Sequence, residues 1–176
     1  MVNDNYSDKD LILKEINNLN LVNDIKNIKN SNNILFCEDA DVPFAIINNI
    51  LSKTKYKVSQ IKDGIDAYNF IINNQKVKDL TVDRDMICLI IMDLNISQNM
   101  NDFGYKILQD MKDKNIYIPT IIYSGSDDIK TVVKCMKLSP IVKDFFSKNI
   151  NCQGEIERFL HSIDHEVDLF KVGKIQ

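Results

Sequence analysis

The feature that most constrains the fold is an unbroken apolar run that ends in an acid. Residues 88–92 read CLIIM, and Asp93 follows them directly. A run without polar alternation predicts a strand that is buried on both faces of a parallel sheet. Asp93 then lies at the carboxyl end of the strand, where the crevice of an open α/β sheet forms. An acid at such a place is costly unless a partner neutralises it.

Apolar runs and amphipathic stretches alternate along the chain and predict five strand–helix units. The predicted strands span 34–37, 56–61, 86–93, 117–123 and 141–147, and the predicted helices span 42–53, 65–73, 105–114, 127–138 and 153–172. Right-handed crossovers between such units give a doubly wound parallel sheet with helices on both faces. The polar stretch 74–85 is an insertion by the usual length of such connections.

Residues 1–30 differ from the rest and form a predicted N-terminal helical extension. Ser7 and Asp10 resemble a capping box. Apolar residues recur at helical spacing through the segment, namely Ile12, Ile16, Leu19, Val22 and Ile25. This pattern predicts a helix over about 8–28. Packing on its own domain and use as a dimerisation or partner-binding helix both remain open.

Composition excludes several classes of protein. The net charge of −3 and the absence of a Lys/Arg cluster argue against direct nucleic-acid binding. The four cysteines show no paired short spacing, which favours reduced thiols. No apolar run approaches the ~18 residues that span a bilayer, and the polar N-terminus is unlike a signal peptide. A cytoplasmic protein without a membrane segment is therefore expected.

The predicted strand ends carry residues that suit phosphoryl chemistry. They are Glu38 and Asp39 after the first strand, Asp93 after the third, Ser124 after the fourth and Lys148 after the fifth. Converging carboxylates repel one another, and a hard divalent cation such as Mg²⁺ is the economical remedy. Beside such an ion Asp93 has the chemistry of a nucleophile toward a phosphoryl group. Lys148 and Ser124 are then positioned to stabilise the phosphoryl oxygens.

From about residue 33 to residue 163 the chain resembles the receiver domain of two-component response regulators. The resemblance implies a flavodoxin-like five-stranded sheet of order 2-1-3-4-5, with the receiver domain at 33–172. It also implies Glu38 and Asp39 as a metal-binding acid pair and Asp93 as the phosphoacceptor. Ser124 and Lys148 match the family's Ser/Thr and lysine.

Two further residues and two departures follow from the same resemblance. The family's metal shell includes a backbone carbonyl two residues after the aspartate, which is that of Asn95 here. Phe145 matches the aromatic residue that rotates inward on activation. Asn149 stands where the family has a proline after the lysine, so the loop at Lys148 is expected to be shaped differently. The loop between Asp93 and Gly104 is also longer than usual.

The resemblance implies a phosphoryl-accepting switch. Its implied donor is a histidine kinase or phosphotransfer protein, its output partner is unknown, a homodimer is possible, and no enzymatic activity is expected beyond self-catalysed phosphotransfer and autodephosphorylation. A non-phosphorylated pseudo-receiver that acts as an adapter is the alternative. A haloacid dehalogenase-like phosphohydrolase is disfavoured because Asn95 stands where that family needs a second aspartate as acid/base. His161 and His165 favour a solvated helix face over a metal pair.

Overall fold

The computed structural model describes residues 31–97, 102–125, 129–150 and 152–173. The strands are β1 (Asn33–Cys37), β2 (Lys57–Ile61), β3 (Ile87–Met92), β4 (Thr120–Ser124) and β5 (Val142–Ser147). The helices are α1 (Asp41–Leu51), α2 (Gly64–Asn73), α3 (Phe103–Asp113), α4 (Ile129–Met136) and α5 (Gln153–Lys171), and a 3₁₀ helix spans Arg84–Met86.

The strands form one parallel sheet in the order β2-β1-β3-β4-β5. Helices α1 and α5 cover one face with Ile47 and Phe159, whereas α2, α3 and α4 cover the other. All six residues of β3 are buried, as an unalternating apolar run requires. The predicted fold class and strand order are thus confirmed. The predicted N-terminal helix lies outside the described residues.

Several predicted boundaries are wrong by a few residues. The third strand begins at Ile87, because Met86 closes a 3₁₀ turn in which its amide donates to the Asp83 carbonyl. The fourth strand begins at Thr120, since Pro119 has no amide proton to donate to a neighbouring strand. Helix α3 begins at Phe103, earlier than the predicted residue 105. None of these shifts moves a residue away from the carboxyl edge of the sheet.

The polar insertion before β3 contributes to the core. Its apolar residues Val77, Leu80 and Val82 are partly buried against the cluster beneath α2 and α3. Arg84 fixes the end of the insertion, because its Nη1 donates to the Ile71 carbonyl at 3.2 Å. The insertion is therefore packed against the core and connects α2 to β3.

Cys37, Cys88 and Cys135 are free and buried, and burial raises the pKa of Cys88 and of Cys135 to about 11. Such thiols stay protonated at neutral pH and pack as small apolar groups. Cys152 is exposed. Among the described residues, no helix combines the length and apolar composition that a bilayer crossing requires.

The hydroxyl of Tyr56 anchors the start of β2 to α5 by donating to Asp164 Oδ1 at 2.6 Å. Burial, followed by the hydrogen bond and charge of Asp164, raises the pKa of Tyr56. The folded state therefore holds this proton more tightly than the unfolded chain does. The protonated Tyr56 side chain therefore contributes to the stability of the fold. This contribution is complete below pH 10, the ordinary pKa of tyrosine, and is lost as the pH rises through the folded-state pKa.

We expect Tyr56→Phe to lower the free energy of unfolding at pH 7 by about 1 kcal/mol, the usual value of one hydrogen bond. Urea unfolding measures this loss, and the difference from wild type should shrink above pH 10. The matched control is Tyr117→Phe, which removes an exposed bond to Asn115. Equal losses in both variants at pH 7 would contradict the prediction.

Candidate functional site

The carboxyl ends of β1 and β3 bring three carboxylates together. Glu38 and Asp39 follow β1, and Asp93 follows β3, which is the neighbouring strand. The sheet fixes their main chain, because the Asp93 amide donates to the Cys37 carbonyl at 2.9 Å and the Glu38 amide to the Ile61 carbonyl at 3.0 Å. One carboxylate oxygen of each acid lies within 4.8 Å of the others. Glu38 and Asp93 are buried, whereas Asp39 is partly exposed.

Lys148 enters this cluster from the end of β5. Its Nζ lies 2.6 Å from Glu38 Oε2 and 3.0 Å from Asp93 Oδ2. The main chain of Lys148 is held on both sides: its amide donates to the Ser124 carbonyl at 3.0 Å, and its carbonyl accepts from the Tyr123 hydroxyl at 3.4 Å. The ammonium group therefore bridges two acids that come from different strands.

The charges of the cluster do not balance. Three carboxylates and one ammonium carry a formal net charge of −2 in a largely buried space. Burial raises the pKa of Glu38, although Lys148 partly offsets this shift. Burial also lowers the pKa of Lys148, but its bonds to Glu38 and Asp93 outweigh that effect and raise the value overall. A divalent cation would match the remaining charge.

Two buried oxygen atoms at the site have neither a hydrogen-bond partner nor an ion-pair partner among the described residues. They are Asp93 Oδ1 and Ser124 Oγ. Ser124 is fully buried at the end of β4, the strand that pairs with β3. Since nearly all buried polar atoms in proteins are paired, two exceptions at one sheet edge indicate a place for a ligand. The donor set consists of hard oxygens and therefore fits Mg²⁺.

Gly104 lets α3 approach the main chain at Asp93. Its amide donates to the Leu94 carbonyl at 2.9 Å. A Cβ at this position would lie 2.9 Å from Leu94 Cα and would collide with the Asp93 carbonyl oxygen. The close approach of Gly104 to the aspartate depends on the tertiary packing of α3, which no local pattern in the sequence reveals.

We expect Gly104→Ala to displace the Asp93 main chain and to lower the free energy of unfolding by about 1–3 kcal/mol, the cost of overpacking. Urea unfolding measures the change. Gly154→Ala is the control, because a Cβ there meets nothing within 4 Å, and it should be neutral or stabilising. Equal free energies of unfolding for the Gly104→Ala variant and wild type would contradict this prediction, because they would show that the main chain moves without an energetic penalty.

The other predicted site residues lie around this cluster. Phe145 is partly buried in β5 and packs against the core beneath α2, α3 and α4, while its carbonyl accepts from Arg158 Nη2 at 3.2 Å. Asn95 is exposed, and its side chain accepts from the Asp102 amide at 3.4 Å. The role of its carbonyl as a metal ligand stays a prediction. Asn149 is exposed, and its amide donates to Ser147 Oγ at 3.4 Å.

Phe103, the residue directly before Gly104, has a packing role. It is 7% exposed and contacts the Tyr68 ring at a centroid distance of 6.3 Å. Its ring also approaches Gly64, where a Cβ would lie 2.7 Å from Phe103 Cδ1. Phe103 thus joins α2 to α3, which the apolar character of this one residue could have suggested. His161 and His165 stack on the exposed face of α5, outside the acidic cluster.

The model of the response regulator receiver domain family matches residues 34–159, and the chain belongs to this family of two-component signalling proteins. The chain is also 29% identical over 128 residues to the 3′,5′-cyclic-nucleotide phosphodiesterase regA of Dictyostelium discoideum. That match covers 67% of this chain but 15% of the relative, so the chain spans a small part of the relative's length.

Solved receiver structures share the fold. The signal receiver domain of a protein described as a Luxo repressor from Vibrio parahaemolyticus aligns with a TM-score of 0.64 at 21% identity, covering 82% of this chain and 95% of that one. The Mn²⁺-bound form of response regulator Rcp1 aligns with a TM-score of 0.58 at 19% identity, covering 82% and 95%. At such identities these likenesses show the fold alone.

Proposed function

We propose that this receiver domain accepts a phosphoryl group on Asp93 from a phosphohistidine of a kinase or phosphotransfer protein, with Mg²⁺ bound. The observation that carries the proposal is the difference between the two carboxylate oxygens of Asp93. Oδ2 is held by Lys148 at 3.0 Å, whereas Oδ1 is buried without a partner. One oxygen is thus fixed, and the other keeps its lone pairs for a new bond.

The reaction follows from this arrangement. Asp93 Oδ1 attacks phosphorus, the bond from phosphorus to the donor imidazole nitrogen breaks, and that nitrogen keeps the electron pair. The product is an acyl phosphate on Asp93. The Lys148 ammonium and the Ser124 hydroxyl donate hydrogen bonds to phosphoryl oxygens, where negative charge develops. Water then hydrolyses the acyl phosphate, which returns Asp93 and releases free phosphate.

Glu38, Asp39 and Asp93 would hold the metal, with the Asn95 carbonyl as a further ligand. Mg²⁺ supplies charge neutralisation for the phosphoryl oxygens. Support comes from the two uncompensated negative charges of the cluster, and the Mn²⁺-bound form of Rcp1 shows that a protein of this fold takes a divalent cation.

Phosphorylation would alter partner binding through β4, β5 and α4. Ser124 ends β4 just before α4, so movement of its hydroxyl toward a phosphoryl group acts on that helix, and Phe145 lies in the paired strand β5. A second connection runs through the loop after Asp93. The Asn95 side chain accepts from the Asp102 amide, and the Asp102 carboxylate lies 3.4 Å from Lys134 Nζ on α4. An output protein would recognise the changed surface.

The test is the intact mass of the full chain after incubation with acetyl phosphate, once with Mg²⁺ and once with a chelator. We expect a gain of one phosphoryl group with Mg²⁺ and none with the chelator. No gain in a folded protein would overturn the proposal and favour the adapter. Steady release of phosphate from unrelated phosphomonoesters would instead indicate a phosphohydrolase.

A further inference from the structure

A cavity of about 250 Å³ opens at the edge of the sheet opposite the acidic site. Ile87, the first residue of β3, lines it, whereas Asp93 follows the last residue of that strand. Apolar and aromatic side chains line one part of the remaining wall, namely Ile116, Tyr117, Ile118 and Phe170, and Arg84, Asp85 and Asn115 line the other. The volume is several times the ~30 Å³ that a water molecule occupies in the liquid, so the cavity can accept apolar side chains.

The chain enters the domain along the rim of this cavity. Ser31 is buried, and its hydroxyl donates to the carbonyl of Met86, the residue before Ile87. Asn32 accepts a hydrogen bond of 2.6 Å from Lys171 Nζ, the residue after Phe170. Residues 1–30 therefore join the domain at Ser31 and Asn32, which are hydrogen-bonded to two walls of the cavity, the start of β3 and the end of α5.

The segment before Ser31 carries the apolar side chains that such a cavity would accept. They recur at steps of three and four residues, which is helical spacing, at Ile12, Ile16, Leu19, Val22 and Ile25. Ile25 is close enough to Ser31 that even a fully extended chain between them spans only ~20 Å. Tyr117 and Val172 lie at the same edge of the sheet and are 43% and 59% exposed. The domain therefore offers exposed apolar surface to these side chains.

We propose that residues 8–28 dock on this edge of their own domain, with apolar side chains covering the cavity. The competing surface is the exposed stripe of Ile129, Val133 and Met136 on α4. Helix α4 packs on the opposite face of the sheet from α5, to which the linker is bonded. Docking at the cavity leaves the α4 stripe free for other proteins. The inference does not depend on the proposed phosphorylation.

Cysteine cross-linking of the full chain tests the docking directly. In a Cys152→Ser background, which removes the exposed thiol, Ile25→Cys is combined with Tyr117→Cys or, as the matched control, with Val133→Cys on α4. We expect mild oxidation or a short bismaleimide to join the first pair within one chain and to leave the control pair unlinked. Cross-linking of the control pair, linkage only between two chains, or no linkage of the first pair would overturn the proposal.

A stability measurement tests the same docking without cysteines. Leu19→Asp places a charge in the apolar repeat, whereas Asn17→Asp adds the same charge at a position outside that repeat. We expect Leu19→Asp to lower the midpoint of thermal unfolding of the full chain, and Asn17→Asp to leave it unchanged. Equal midpoints for the two variants would contradict the docking. Phosphorylation by acetyl phosphate should continue in both, so this result is separable from the function of Asp93.

Discussion

Asp93→Asn is expected to abolish the Mg²⁺-dependent gain of a phosphoryl group. The amide keeps the size of the side chain but replaces one of the two carboxylate oxygens with an amide nitrogen and removes the negative charge, so neither a nucleophile nor a full metal ligand remains. Intact mass after incubation with acetyl phosphate measures the loss. Circular dichroism should show an unchanged fold, since Asp93 is one of several acids at a charged site whose repulsion the change relieves.

The control for this variant is Asp113→Asn, which makes the same chemical change at an exposed position at the end of α3. It should incorporate the phosphoryl group at the rate of the wild type. Incorporation that persists in Asp93→Asn would show that another residue accepts the group. Loss of incorporation in both variants would point to a general effect of acid removal rather than to Asp93.

Lys148→Ala is expected to lower the free energy of unfolding in chelator by about 3 kcal/mol, since it leaves Glu38 and Asp93 buried without their common counter-charge. Added Mg²⁺ should restore more stability to this variant than to wild type, because the ammonium no longer competes for the same acids. Acidification should also reduce the difference in the free energy of unfolding between this variant and wild type. Burial raises the pKa of Glu38, and Lys148 partly offsets that rise. The variant lacks Lys148, so the pKa of Glu38 should rise further in it. Urea unfolding with chelator or Mg²⁺ measures these effects.

Lys143→Ala is the matched control, because Lys143 is also a part-buried lysine, and it lies in β5 with its Nζ 3.7 Å from Glu166 Oε2, away from the acidic cluster. The decrease in the free energy of unfolding that Lys143→Ala causes should not depend on Mg²⁺. Equal stabilisation of both variants by Mg²⁺ would contradict a role of Lys148 at the metal site. We further expect the Lys148→Ala variant to be phosphorylated yet to bind its output partner more weakly, as Lys148 would no longer contact the phosphoryl group.

The fold and the approach of the acids could be predicted because they depend on local patterns. An apolar run without alternation indicates a buried parallel strand, and the residue that follows it must lie at the carboxyl edge of the sheet. Asp93 and Ser124 follow such runs, so their strands could be located from the sequence. Exact strand boundaries depend instead on single hydrogen bonds. The bond from the Met86 amide to the Asp83 carbonyl, for example, keeps Met86 in a turn and out of β3.

Other features of the site depend on tertiary packing that no spacing reveals. The sequence suggested Lys148 as a partner of the phosphoryl group, but its simultaneous contact with Glu38 and Asp93 follows from the register of three strands. The contact between Gly104 and the Asp93 main chain requires α3 to begin at Phe103, whose packing against α2 had no periodic signal. The apolar residues of the insertion likewise lack a helical or strand period, although they join the core.

The most direct test of the central claim is to locate the phosphoryl group by mass spectrometry of peptides from the phosphorylated wild-type chain. We expect the modified peptide to contain Asp93 and hydroxylamine to remove the group, as it does from an acyl phosphate. A group that resists hydroxylamine, or that lies on a peptide without Asp93, would contradict the assignment of Asp93 as the phosphoacceptor.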